Sequence, residues 1–140
     1  GAIYNVNHSQ SRIINCSMSR NQSSKGGAIS NRDSDPEIVN CIIWENRAEE
    51  YPGIFNERSE PVVSFSNVQG GYDGDAILSE DPEFADLDLH LNINSPCIDA
   101  GNNLAVPEGV DHDLDANPRI KNGTVDLGAY EFFIRNEKMK

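Results

Sequence analysis

The chain repeats itself. Gly1-Ala2-Ile3-Tyr4-Asn5 returns 26 residues later as Gly27-Ala28-Ile29-Ser30-Asn31, and Gly53-Ile54-Phe55-Asn56 follows after another 26. A second motif lies between the copies of the first. Ile14-Asn15-Cys16-Ser17-Met18 with Asn21 matches Val39-Asn40-Cys41-Ile42-Ile43 with Asn46 at an offset of 25, and a fainter third copy aligns Pro36 with Pro61, Cys41 with Ser66 and Ile43 with Val68. Two interleaved motifs on one shared period restrict the chain to architectures in which like units stack on one another.

Inside the second motif the residues alternate. Ile14, Cys16 and Met18 fall on one side of an extended chain and Asn15, Ser17 and Ser19 on the other, the pattern of a half-buried strand. Such a unit holds two or three short strands and cannot bury its apolar side alone, so it needs a neighbour above and below. The expectation is an all-β parallel β-helix of about three coils of 25–26 residues, with Asn15 over Asn40 and Cys16 over Cys41 at the strand spacing of about 4.8 Å. The 16 asparagines suit corners in the left-handed conformation and amide bonds along the stack. Cys16 and Cys41 lie within disulfide reach, although interior positions favour two buried thiols in a ladder.

The repeats fade at Gly70-Gly71. Coils are therefore expected over 1–71, a C-terminal capping region of the same domain over 72–133, and a charged tail over 134–140. Because the chain opens in mid-motif, upstream coils and a signal sequence are expected to precede it. The open N-terminal coil is then a surface for end-to-end self-association. A formal net charge of −12 argues against nucleic-acid partners, and no apolar run reaches the roughly 20 residues of a membrane span.

The C-terminal half carries three denser motifs: Ser95-Pro96-Cys97-Ile98-Asp99-Ala100-Gly101, Asp113-Leu114-Asp115-Ala116-Asn117-Pro118-Arg119 and Val125-Asp126-Leu127-Gly128-Ala129-Tyr130-Glu131. They closely resemble the terminal signature of bacterial right-handed parallel β-helix proteins of the pectin-lyase-like superfamily, of the choice-of-anchor Q type. Gly26-Gly27-Ala28-Ile29 and Met18-Ser19-Arg20-Asn21 resemble the GGAI and FxxN repeats of polymorphic outer-membrane autotransporter adhesins. The resemblance covers 1–131 and implies a right-handed helix, an extracellular or cell-surface location and an adhesin-like role.

Candidate chemistry is sparse. Superfamily resemblance brings polysaccharide lyases and glycoside hydrolases into view, and Arg32, Asp33, Asp35, Glu37, Glu57, Arg58 and Glu60 are the material for such a groove; as turn residues they fit solvated loops better. No catalytic set is legible. The run Asp111 to Asn117 places oxygen ligands at Asp111, Asp113, Asp115 and Asn117, a spacing that can wrap Ca²⁺. It equally suits an acidic capping loop whose carboxylates accept backbone N–H bonds. Trp44 falls on the outward side, where it can stack on a sugar or pack under a loop. His8, His90 and His112 lack zinc spacing. The expected function is a non-enzymatic scaffold binding glycans or proteins, with the alternative of a lyase or hydrolase whose groove lies mainly on upstream coils.

Overall fold

The computed structural model describes residues 1–134, so the expected tail beyond Ile134 lies outside the described residues. The first repeat contributes β1 (Ile3–Asn5), β2 (Arg12–Ile14), β3 (Ser17–Ser19) and β4 (Gln22–Lys25). The second contributes β5 (Ile29–Arg32), β6 (Glu37–Val39), β7 (Ile42–Trp44) and β8 (Arg47–Glu50). The third holds β9 (Ile54–Glu57) and β10 (Val62–Val68), and β11 (Asp75–Leu78) follows the Gly70-Gly71 turn.

The strands of the first two repeats, β8 excepted, each pair in parallel with a counterpart in the next repeat. Ile3 lies opposite Ile29, Ile13 opposite Ile38, Met18 opposite Ile43 and Gln22 opposite Arg47. The columns continue to Ile54, Val63 and Val68. The chain is thus almost wholly β, in parallel sheets; the offset of 26 holds between the first two copies of the first motif, but the second and third pair at 25 and not at 26, so that Ile29 faces Ile54 and Arg32 faces Glu57, not Arg58. β11 extends the stack past residue 71 by pairing Ser64 with Asp75.

The inward side chains of these columns, among them Ile13, Met18, Ile29, Ile38, Ile43, Ile54, Val63 and Val68, form one buried core. Corners recur on the same period, and only some are Asn or Gly. Positive φ is found at His8, Asp33 and Arg58, at Asn15, Asn40 and Phe65, and at Arg20, Glu45 and Gly70. A non-glycine residue there costs on the order of 1–2 kcal/mol. Bonds between repeats offset this cost: His8 N–H donates to the Asp33 carbonyl at 2.7 Å, and Asp33 N–H to that of Glu57 at 3.0 Å.

Polar side chains also stack. The Asn5 amide donates to Asn31 at 2.8 Å, Asn31 to Asn56 at 2.8 Å, and Asn56 to the Tyr72 hydroxyl at 2.7 Å. Each buried amide in this column satisfies its neighbour, and truncating one would orphan a donor or acceptor at a cost of about 1–3 kcal/mol.

The region after β11 does more than close the far end. It runs back along the outside of the stack and reaches all three repeats. Asn67 holds Glu80 through both its amide nitrogen (2.7 Å) and its oxygen (3.1 Å). Asn40 donates to the Asn102 carbonyl at 3.0 Å and accepts from Asn102 N–H at 2.8 Å. Asn15 donates to the Asp126 carbonyl at 3.0 Å, and Ser17 accepts from Ala129 N–H at 2.9 Å. Beneath this strap lies a second apolar cluster of Ile42, Leu91, Cys97 and Leu127, with Trp44, Leu78, Phe84 and Phe132 packed against it. β7 is therefore buried on both faces, which explains its unbroken apolar run.

Candidate functional site

The motifs of the C-terminal half meet in a buried polar network. Asp113 Oδ1 accepts from the N–H groups of Asp115 and Asn117, both at 2.9 Å. Its Oδ2 accepts from the Asn117 amide at 3.3 Å and from Glu131 N–H at 2.9 Å. Arg119, with its side chain 4% exposed, grips Glu131 through Nη2 at 2.6 Å and Nε at 3.1 Å and reaches the Ala129 carbonyl at 3.2 Å. Burial pushes the Glu131 carboxyl up to about 7, against the opposing pull of Arg119. Asp126, raised by burial, accepts from Asp99 N–H at 2.7 Å and from Phe132 N–H at 2.6 Å.

This arrangement decides what the Asp111–Asn117 loop can do. Asp113 is filled with N–H donors, Asp115 turns away to His90 at 2.7 Å, and Asp111 is exposed while its carbonyl accepts from Arg119 N–H at 2.8 Å. Asn117 is buried, with its amide on Asp113. The four oxygens do not converge, and among the described residues no group of three or more His, Cys, Asp or Glu side chains is placed to hold a metal ion. A hard cation needs six to eight converging oxygens, and the donor set as placed is spent instead on N–H groups of the loop and on His90.

Next to the network opens a cleft of about 360 Å³. Leu91 and Phe132 line it, Ile93 and Ile134 flank it at 63% and 40% exposure, and Asp86, His90 and Asp115 stand at its polar side. His90 is the organising residue. Its Nδ1 faces Asp86 Oδ2 and its Nε2 faces Asp115 Oδ2, each at 2.7 Å, and its ring lies on Tyr130 with centroids 3.9 Å apart. Carboxylates only accept, so both contacts are hydrogen bonds only when both ring nitrogens carry protons. Burial raises the Asp86 carboxyl, but the backbone N–H and ring of His90 outweigh it and leave Asp86 below its usual range. Nothing local in Leu87-Asp88-Leu89-His90-Leu91 announces this role; the signal is a contact across 25 residues.

No protein-family model, curated protein or solved structure matches the chain. Trp44 is half-buried against the second apolar cluster, which places it among strap contacts. The charged residues expected as material for a catalytic groove face one another across repeats. Arg12 meets Glu37 at 3.0 Å, Arg32 meets Glu57, and Arg58 meets Asp33 at 2.6 Å. The Arg58 guanidinium holds the Asp33 carboxyl below its ordinary range. Asp35 caps Glu60 N–H at 2.7 Å. Among the described residues no helix is long and apolar enough to cross a membrane.

Proposed function

We propose that the chain is a right-handed parallel β-helix scaffold of the pectin-lyase-like, choice-of-anchor Q type, acting at the cell surface or outside the cell as a non-enzymatic module that binds glycans or proteins. The observation that carries this is the pairing of the flank charges. Arg12, Arg32 and Arg58 each take a carboxylate one repeat away, so these groups are paired along the flank instead of converging on a reacting atom, and function has to be argued from a site and not from a fold. The cleft beside His90 is where a partner would dock, since it combines an apolar floor with a few polar groups, as ligand sites do.

The test has two arms. Immobilised full chain is applied to a glycan array and to cell surfaces, and the same preparation is incubated with acidic and neutral polysaccharides while unsaturated products and reducing ends are measured. Saturable binding without depolymerisation is expected, weakened at least several-fold by Ile93→Asp in the cleft wall. Depolymerisation that survives repurification would overturn the proposal in favour of a lyase or hydrolase.

A further inference from the structure

Cys16 and Cys41 occupy the same column of neighbouring repeats. The pairs on either side, Ile14 opposite Val39 and Ser17 opposite Ile42, fix the register between them. Backbone bonds hold it tightly: Asn15 N–H donates to the Val39 carbonyl at 3.2 Å and Ile42 N–H to that of Cys16 at 2.9 Å. Adjacent strands lie about 4.8 Å apart, within the Cα separation of roughly 4.4–6.8 Å that a disulfide accepts. The two sulphurs are placed alike in their own repeats, Cys16 Sγ on the Ile14 carbonyl and Cys41 Sγ on the Val39 carbonyl, each at 3.3 Å, and Cys41 Sγ also reaches the Ile13 carbonyl of the preceding repeat at 3.4 Å. The column ends there, because Ser66 follows and its hydroxyl accepts from Cys41 N–H at 3.1 Å. Both thiols are free, Cys16 half-buried and Cys41 fully buried.

We infer that Cys16 and Cys41 form a two-thiol oxidation site at which a low-molecular-weight disulfide is reduced and a covalent cross-link between the first two repeats is made. The roles follow from exposure and from acidity. Cys16 is the less buried of the two thiols, and contact with the Cys41 S–H lowers it to about 7, while burial drives Cys41 well above the usual thiol range. The Cys16 thiolate attacks one sulphur of the incoming disulfide, forming a mixed disulfide and expelling one thiolate. Cys41 then attacks the Cys16 sulphur, its proton passing to the leaving thiolate. The protein loses two electrons and two protons, and the oxidant leaves as two thiols. Cys97 takes no part: it sits in the other apolar cluster with the Asn67 amide on its sulphur at 3.3 Å.

The full chain is incubated with oxidised glutathione at pH 7.5, remaining thiols are alkylated, and the product is mapped by mass spectrometry after proteolysis without reductant. A Cys16–Cys41 linked peptide is expected, with Cys97 alkylated and Tm raised on the order of 10 °C in a manner that dithiothreitol reverses. Cys41→Ser should stop at a glutathione adduct on Cys16, and Cys16→Ser should leave Cys41 unmodified in the folded protein. Because the adduct is read chemically, a Cys41→Ser chain that melts lower still reports. A wild-type adduct on Cys16 that never resolves, a link to Cys97, or no reaction at Cys16 in either wild type or Cys41→Ser would each overturn the inference.

Discussion

Gly128→Ala tests whether the strap lies as close to the stacked repeats as its hydrogen bonds imply. A Cβ at Gly128 would sit 2.5 Å from Ser17 Oγ and 2.8 Å from Ile42 Cδ1, and the residue has φ of +87°. Gly123 has nearly the same backbone, with φ of +88°, but nothing within 4 Å of the added carbon. Alanine at Gly123 therefore meets only the conformational cost, about 1–2 kcal/mol. At Gly128 overpacking adds about 1–3 kcal/mol, giving a total of about 2–5 kcal/mol. Equilibrium urea unfolding of the two variants, followed by tryptophan fluorescence from Trp44 beneath the strap, separates the two contributions. Equal destabilisation of both variants would refute the close approach, and with it the placement of the strap on the first and second repeats.

Asp113→Ala should lower stability by about 3 kcal/mol, because it leaves several N–H donors of a buried turn unpaired; a calcium-dependent rise in wild-type Tm that disappears in this variant would count against the capping assignment. Glu131 supplies a pH signature. Its folded value of about 7 lies above the ordinary 4.5, so the native state holds the extra proton between those values and this group's contribution to stability falls as pH rises across that window, by up to about 3 kcal/mol. Glu131→Gln should flatten that limb of the stability–pH curve, and an unchanged slope would show that Glu131 does not titrate there. Trp44→Ala should cost about 2–3 kcal/mol in a chemical melt through lost packing under the strap; a variant as stable as wild type would return Trp44 to the solvent-facing role.

The stacked part of the molecule was legible because its determinants are local and periodic. Alternation places Ile14, Cys16 and Met18 on one side, but the structure buries Ile13 and Met18 and leaves Ile14 half-buried, since the left-handed Asn15 switches the face between β2 and β3. Corners at Arg20, Glu45, Tyr51 and Phe65 were not legible, because their residue types carry no preference for the left-handed conformation they adopt; at Glu45 and Tyr51 bonds to the neighbouring repeat hold it, from Glu45 N–H to Gln69 and from Gly27 N–H to the Tyr51 carbonyl. The departure of Cys41-Ile42-Ile43-Trp44 from the alternation of Cys16-Ser17-Met18-Ser19 was a visible sign of two-sided burial. What covers that face was hidden, for the contact from Ser17 to Ala129 spans 112 residues. The cleft depended on the same kind of distant pairing, and the acidic loop could be weighed only once the donors around Asp113 were in place.

Stacked repeats ordinarily behave as a row of nearest-neighbour units, free to fray one at a time from an end. Here Asn15, Asn40 and Asn67 are each bonded to one continuous segment that follows them in the chain, so the first repeat cannot peel away without also releasing residues near the other terminus. Opening is thereby made collective: amide hydrogens of the first and third repeats should exchange with similar protection, and the unfolding transition should stay single and steep. The same closure delays folding, because the strap finds its full surface only after three repeats have assembled, and contacts of such sequence separation are slow to form.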